Sequence, residues 1–591
     1  MSAGGEELLL LPEPRRVERL GGWVDVGPSP RLKTAIGPTR SASAESYELR
    51  VQDQGPGHVL LAAQGPSEAG LRHARATFAQ LVKRFGRRLP TLVIEDEPSF
   101  AVRGVMLDVS RDRVPTMEQM YETVEVLAGL KFNQLQLYTE HTFAYAGHEE
   151  AWGGWSPMTG AEIRRLDAFA AERGVALVAN QNCFGHLASW LKLPKYAHLA
   201  ETHGDWMFDV WPRSGAFSLC PTDPASLEFV EGLLDELLPN FSTKLVNVGA
   251  DETYDVGWGR SKEELARRGL DGAAGRVALY LEFLGKLSAA ATVRGYRPMF
   301  WADIALSHPE AVGGIAPELI ALAWNYEPGA KWGEWCRVLR EAEPGREVWV
   351  CPGTSSWRSI FGRTTERRGN IIEAAEQGAA AGARGYLLCD WGDTGHHQQW
   401  PVALHAMAHG AQAAWNAGAA ERFDARASSL HALGDASLEA GPWLDAIGNA
   451  DEAVRAVAMP LSRPGQAGRI MNQSALFIDM HKGPGDGVEV GGLPLWEVAR
   501  ANVAAARAAL PRVGGVIGDE LGHTVAMAEF AARRAVARRV PGGVSATEKA
   551  ELLEQVAALT REHRRLWKIR ARLGGLDHSC GFYEQIAAKT G

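Results

Sequence analysis

The stretch "LVNVGADETYDVG" (Leu245–Gly257) opens as a short apolar run and closes on two adjacent carboxylates, Asp251 and Glu252. Successive side chains of a strand point to opposite faces, so tandem acids where a strand runs out have two readings. They are a solvated loop start, or both reach one bound molecule from different angles. The surrounding pattern decides. Seven further strand-length apolar runs resemble this one: "RGVMLDVS" (103–110), "FNQLQLYT" (132–139), "VALVANQN" (175–182), "RPMFWADI" (297–304), "LIALAWN" (319–325), "EVWVCPG" (347–353) and "GYLLCDW" (385–391). Amphipathic stretches such as "TMEQMYETVEVLAGL", "GAEIRRLDAFAAERG" and "DPASLEFVEGLLDELL" separate most of them. Near-continuous apolar strands alternating with helices predict a parallel sheet covered on both faces. Eight such units predict an α/β fold, a (β/α)8 TIM barrel. The link between the fifth and sixth strands is short and rich in Pro and Gly.

Either side of residues 98–420, the expected barrel, the pattern changes. Residues 1–97 mix β-like runs ("YELRVQDQ", "HVLLAAQG", "LPTLVIEDEPSF") with one helical stretch, "SEAGLRHARATFAQLVKRF", and predict a small α+β domain. In residues 421–591 the strand signal fades. Stretches such as "LWEVARANVAAARAAL" and "ATEKAELLEQVAALTREHRRLWKIRARL" have a helical period and predict a helical C-terminal domain, interrupted by an irregular "IDMHKGPGDGVEVGGLP".

Bulk properties narrow the function classes. Net charge is -9, which gives no electrostatic footprint for nucleic acid. Six scattered cysteines without a CxxC pair predict reduced thiols and a cytoplasmic setting. "MSAGGEELLLLPEPRR" lacks a basic n-region, so no signal peptide is expected, and no apolar run is long enough to span a membrane. Nineteen Trp against eleven Tyr supply flat apolar faces with one donor each, suited to stacking on sugar rings.

In a barrel of this kind the active site forms where the strands end. In strand order, those ends carry Asp108, Ser110 and Arg111; Glu140 and His141; Asn182 and then His186; Asp251 and Glu252; Trp301 and Asp303; Trp324, Asn325, Tyr326 and Glu327; Thr354, Ser355, Ser356 and Trp357; and Asp390, Trp391, Asp393, His396 and His397. Neither common Gly-rich phosphate loop is present, nor a G-x-S-x-G nucleophile elbow. Carboxylates with Trp and no phosphate-binding feature point to carbohydrate. A retaining glycosidase normally uses two carboxyl groups about 5 Å apart, yet the seventh strand ends in Thr and Ser. The tandem acids on the fourth strand suit substrate assistance instead, with a 2-acetamido group of the sugar as nucleophile. Glu252 would then protonate the leaving oxygen, and Asp251 would hold the acetamido N–H.

"RGVMLDVSR", "CFGHL", "VNVGADET" and "DWGD" occur in the order seen in glycoside hydrolase family 20, the β-N-acetylhexosaminidases, which this chain resembles over roughly residues 70 to 400. "LVIEDEPSFAVRG" looks like that family's junction between N-terminal domain and barrel. The resemblance implies that Arg111 grips sugar hydroxyls and that His186 orients the acid/base. It implies that Asp251 and Glu252 are the catalytic pair, that Trp301, Trp324 and Trp391 wall the acetamido pocket, and that Asp393 replaces a hydroxyl-binding Glu. Asp303, Tyr326 and Trp357 join these as expected substrate contacts from their strand ends. The chain departs from the family in three places. The second strand ends in "LYTEHTF", where Glu140 or His141 would take over a His-x-x-Asp function. The third carries neutral Asn180 and Asn182 where acids are usual. "PGTSSWRSIFGR" has no match for the tyrosine that bonds the acetamido oxygen.

The expected activity is therefore exo-acting, retaining hydrolysis of terminal β-linked N-acetylhexosamine through an oxazoline intermediate. The alternatives are a same-scaffold glycosidase for a sugar without the acetamide, and a non-catalytic sugar-binding protein. No cofactor and no metal are expected. The adjacent histidines of "GHHQQW" lack partners at metal spacing, and Cys580 near His578 reads as an ordinary buried thiol. The expected partner is an oligosaccharide, with neither nucleic acid nor membrane, and the C-terminal helices leave room for a homodimer.

Overall fold

The computed structural model describes residues 6–590 except 57, 210, 271, 458–470 and 484–491. Five strands, β1 (Arg16–Asp25), β2 (Lys33–Ile36), β3 (Tyr47–Asp53), β4 (Val59–Gly65) and β5 (Arg88–Asp96), form an N-terminal sheet in the order β1-β5-β3-β4-β2. The helix Glu68–Phe85 packs on it, started by Ser67, whose hydroxyl accepts from Ala69 N and Gly70 N. Sequence patterning finds β3, β4, β5 and this helix but not β1 or β2. Both are largely exposed strands, and β1 is interrupted by an irregularity between Arg19 and Trp23, so neither shows an apolar alternation.

All eight expected strands form and close into a parallel barrel: β6 (Val102–Asp108), β7 (Gln134–Thr139), β8 (Ala176–Gln181), β11 (Leu245–Asn247), β12 (Arg297–Trp301), β13 (Ile320–Trp324), β14 (Val348–Cys351) and β15 (Gly385–Asp390). Alternate residues divide between two cores. Val105, Leu107, Leu135, Leu137, Phe300 and Val350 face the surrounding helices. Met106, Tyr138, Val178, Met299, Trp301 and Trp349 fill the inside. Part of that inside is polar: Gln136 Oε1 accepts from Asn180 Nδ2 at 3.2 Å and from Asn247 Nδ2 at 3.4 Å. Two amide donors share one amide oxygen, which offsets part of the cost of burying them.

Local signals set the helix starts. Thr116 caps Met117–Gly129, a Thr159/Glu162 capping box opens Gly160–Glu172, and Asp223 with Pro224 opens Pro224–Leu237. Between the fifth and sixth strands the barrel has only a five-residue helix, Asp303–Ser307, and a 3-10 turn, Pro309–Gly314. A hairpin unseen in the sequence, β9 (Asp205–Phe208) with β10 (Trp211–Ser214), is inserted after β8.

From residue 425 onward the described elements are helices, the longest being Leu493–Ala508, Gly515–Ala537 and Ala546–Arg570. Among the described residues no helix is long and apolar enough to cross a membrane. Residues 478–480 of the expected irregular segment end a helix, Ala475–Met480; residues 484–491 lie outside the described part. The flanking elements are tied to the barrel. Trp415, at the end of its last helix, enters the N-terminal core and donates to Asp96. His578, in the helix Leu576–Ala588, pairs with Asp112 after β6.

Candidate active site at the barrel mouth

The tandem acids do not obey strand alternation, because the strand ends before them. β11 stops at Asn247. Gly249, Ala250 and Glu252 then take left-handed backbone angles (φ 72°, 73° and 54°). Gly249 is obligatory here: a Cβ would stand 2.4 Å from Asn182 Oδ1. This corkscrew delivers both carboxylates to the same imidazole. His186 Nε2 lies 3.1 Å from Asp251 Oδ2 and 3.4 Å from Glu252 Oε2. Asn182 Nδ2 donates to Asp251 Oδ1 at 2.9 Å, and the Glu252 amide donates to Asp303 Oδ2 at 3.0 Å. The Asp251 side chain is 8% exposed, that of Glu252 25%. One acid is interior and the other faces the opening.

Strained backbone concentrates at this end of the barrel. Of the fourteen non-glycine residues with positive φ among those described, eight follow barrel strands: Asp112, His186, Ala250, Glu252, Ser355, Arg358, Thr394 and His396. Such conformations cost energy and persist where surrounding structure fixes them, commonly at sites of function.

The charges are arranged as a relay. Burial alone would discharge His186, but Asp251 and then Glu252 override it and hold its pKa well above the usual histidine value. Burial likewise works to raise Asp251, and His186 with Asn182 overrides it and lowers the pKa. Asp303 lacks a cation, so burial and the two neighbouring acids push its pKa far up. Arg111 reaches Asp108 at 3.3 Å and both Glu140 and Asp393 at 3.5 Å, and its guanidinium lies 4.6 Å from the Trp391 ring. Glu140 also accepts from the Tyr138 hydroxyl at 2.9 Å.

Aromatic rings build the wall opposite the acids. Trp324 stacks on Tyr326 at 5.1 Å, Trp357 meets Tyr326 edge-on at 5.0 Å, and Trp301 stands 6.3 Å from Trp391. Trp391 Nε1 donates to the Tyr326 hydroxyl at 2.9 Å, and Trp324 Nε1 to Asp303 at 3.3 Å. Of the expected site residues, the structure thus gathers Arg111, Glu140, His186, Asp251, Glu252, Trp301, Asp303, Trp324, Tyr326, Trp357, Trp391 and Asp393.

His141 is the exception, and the expectation that it lines the site is corrected. Its ring is buried edge-on against Trp155, with Nδ1 3.4 Å from Ser110 Oγ. His396 and His397 are also buried; His397 Nε2 meets the Ser579 carbonyl at 3.1 Å, so this ring serves the C-terminal contact.

The strand-7 hydroxyls are occupied as well. Thr354 and Ser356 each approach Asp390 Oδ1 at 2.6 Å. Burial raises Asp390 to about 6 against those two hydrogen bonds. A folded-state pKa above the unfolded one means that the folded state holds the extra proton. Stability therefore falls as pH rises from about 4 to 6 and stays lower above that. Asp390→Asn keeps the acceptor and removes the charge. It should stabilise the protein by up to about 3 kcal/mol at pH 8 and do little at pH 4; denaturant melts at both pH values test this.

Among the described residues His186, Asp251 and Glu252 are the one set of three His, Cys, Asp or Glu whose ligating atoms lie within 4.8 Å of one another. A metal there would need a neutral imidazole, and these carboxylates push the His186 pKa up, against that form. The set fits proton chemistry better than an ion.

Residues 100–335 match the profile of the glycosyl hydrolase family 20 catalytic domain. This stretch of the chain resembles glycosyl hydrolase family 20. It is 24% identical over 423 residues to a β-hexosaminidase of Vibrio furnissii, covering 60% of this chain and 64% of the relative. It is 26% identical over 295 residues to a β-hexosaminidase of Akkermansia muciniphila, covering 45% of this chain and 57% of the relative. The chain thus spans less than two thirds of these relatives' lengths. A Flavobacterium johnsoniae chitobiase superposes over 99% of both chains with a TM-score of 0.56 at 14% identity, a likeness in fold. The matched stretch spans β6 to β13 of the barrel, including Arg111, His186, Asp251 and Glu252.

Proposed function

We propose that this protein is an exo-acting β-N-acetylhexosaminidase of family 20 that works by substrate assistance. The observation that carries this is the unequal placement of two acids beside one histidine. Glu252 is the more exposed and is placed to protonate the leaving oxygen from the open side. Asp251 is interior, its pKa held below the usual aspartate value by His186 and Asn182, and is placed to hold the acetamido N–H as the acetamido carbonyl oxygen attacks the anomeric carbon. The attack forms the carbon–oxygen bond of an oxazolinium ion and breaks the glycosidic bond. Water activated by Glu252 then opens the ring with net retention. Asp251 supports the positive charge that develops on the acetamido group. His186 locks both carboxylates, and Asp303 fixes the strained Glu252 backbone through its amide.

The tyrosine missing from the strand-7 loop has a structural counterpart. Tyr326, from the end of strand 6, is held among Trp324, Trp357 and Trp391 with a neutral hydroxyl, and it fits the role of donor to the acetamido oxygen. Tyr326→Phe should raise the dissociation constant of N-acetylglucosamine about 5- to 10-fold, the worth of one neutral hydrogen bond. It should leave affinity for glucose unchanged. The deciding experiment for the reaction is a panel of aryl glycosides with and without the 2-acetamido group. Cleavage only of those that carry it supports substrate assistance. Equal cleavage would instead favour a same-scaffold glycosidase that needs no acetamide.

A further inference from the structure

Arg111 and Asp393 meet at the barrel mouth, 3.5 Å apart, with side chains 22% and 33% exposed. Each is followed by a residue in a left-handed backbone conformation, Asp112 at φ 78° and Thr394 at φ 62°. Such turns are costly and persist where neighbouring structure imposes them. The aim of both side chains therefore depends on what holds these two turns.

The holding groups come from the C-terminal helices. Asp112 Oδ2 accepts from the Gly395 amide at 3.1 Å, which ties the two turns to each other. Asp112 Oδ1 is bonded to Nδ1 of His578. Ser579, the next residue of the same helix, donates from Oγ to the Gly395 carbonyl, and that Oγ lies 2.8 Å from His563 Nε2. The helix Leu576–Ala588 starts at Gly575, where φ is 77° and a Cβ would stand 1.8 Å from the Asp112 carbonyl oxygen. Just before it, Arg572 N donates to the Val114 carbonyl at 2.9 Å, and Thr116 N donates to the Arg570 carbonyl at 3.0 Å. The turn after β6 is thus bonded along its length to residues 570–579, and the turn after β15 to Ser579 and, through Asp112, to His578.

His578 differs from the other holding groups. Its side chain is 60% exposed, whereas that of Asp112 is 6% exposed. An imidazole at the surface thus supplies a donor to a buried carboxylate, and a buried acceptor that loses its donor is destabilised. We propose that His578 is a positioning residue of the sugar site: by bonding Asp112 it fixes the two left-handed turns that aim Arg111 and Asp393, so that the C-terminal helix is part of the substrate site. The inference rests on the proposed function in taking Arg111 and Asp393 to grip a 2-acetamido sugar. It adds a residue that acts on that sugar only through Asp112.

The test uses the full chain, in calorimetric titration with N-acetylglucosamine and in hydrolysis of an aryl N-acetylglucosaminide. His578→Ala should raise Kd and KM about 3- to 10-fold, part of the worth of a charge-assisted hydrogen bond. Arg111 grips the sugar in the ground state and the transition state alike, so kcat should stay within about 2-fold. His578→Asn offers an amide N–H where Nδ1 stands and should restore most of the affinity. Asp577→Asn removes only the exposed pair that the adjacent residue makes with Arg564 at 2.7 Å, and should bind like the wild type. Arg111→Lys is the reference and should weaken binding at least as much as His578→Ala. Wild-type affinity in His578→Ala, with Arg111→Lys weakened, overturns the positioning role and leaves the proposed function standing. A fall in kcat that matches the loss of affinity, an equal loss in Asp577→Asn, or no rescue by asparagine also overturns it, because a loosened helix would then account for the effect. Binding unmoved by Arg111→Lys, or a wild type that binds no N-acetylglucosamine, would overturn the sugar contact assigned to Arg111 in the proposed function and this inference with it.

Discussion

Glu252→Gln should lower kcat/KM on an aryl N-acetylglucosaminide with a poor leaving group by about 10²- to 10⁴-fold, the usual worth of a positioned general acid. The loss should depend on the leaving group. A dinitrophenolate departs without a proton, so bond cleavage in that substrate should survive the substitution far better than in a 4-methylphenyl glycoside. The amide keeps the side chain's shape, so thermal stability should change little. The structure adds a reason to expect so clean a separation. The Glu252 backbone is fixed by the hydrogen bond its N–H donates to Asp303 Oδ2 and not by its own carboxylate, so removing the charge leaves the geometry in place. Equal losses across leaving groups would contradict the assignment of Glu252 as the acid.

Asp251→Asn should cost about 10²- to 10³-fold, comparable to removing one preorganised electrostatic contact to a charge that develops in the transition state. Unlike Glu252→Gln, it should not discriminate between leaving groups. A thiazoline that mimics the oxazoline should lose affinity in parallel. The same substitution takes away the main charge that raises the His186 pKa. The imidazole pKa should fall from well above the usual histidine value, which NMR titration would read directly. The signs follow from the two shifts. His186, raised on folding, contributes stability at and below neutral pH that is lost as pH rises through its raised value. Asp251, lowered on folding, contributes stability above the ordinary aspartate value that is lost as pH falls through its lowered one. The stability gap between wild type and Asp251→Asn should therefore be widest around neutral pH and narrow at both extremes.

Much of the barrel is legible along the chain, and particular residues show why. Leu135, Leu137, Val350 and Phe300 face helices while Tyr138, Met299 and Trp349 face inward. Strands buried on both sides thus read as unbroken apolar runs. Thr116, Thr159 and Asp223 mark helix starts with side chains that bond their own first turn. β1 and β2 escape because exposure removes the alternation, and the Asp205–Ser214 hairpin escapes because its β10 arm, Trp211–Ser214, is half-buried to exposed and holds a proline. The site is legible to the extent that it lies at strand ends. Arg111, Glu140, Asp251, Trp324 and Trp391 follow directly from counting strands. His141 does not: it follows the end of its strand, where alternation no longer sets direction, and its ring packs on Ser110 and Trp155.

What the sequence by itself determined is the eightfold strand count, the tandem acids on the fourth strand and the absence of an acid after the seventh. Those properties are local, written in hydrophobic period and residue type. Only the tertiary structure decided that Asp251 and Glu252 share one histidine, that Tyr326 stands among three indoles, and that Gln473, more than a hundred residues downstream, holds Arg358. These are contacts between distant segments. They depend on left-handed turns at Gly249, Ala250 and Glu252 and on docking of the C-terminal segment, and neither leaves a periodic trace in the chain.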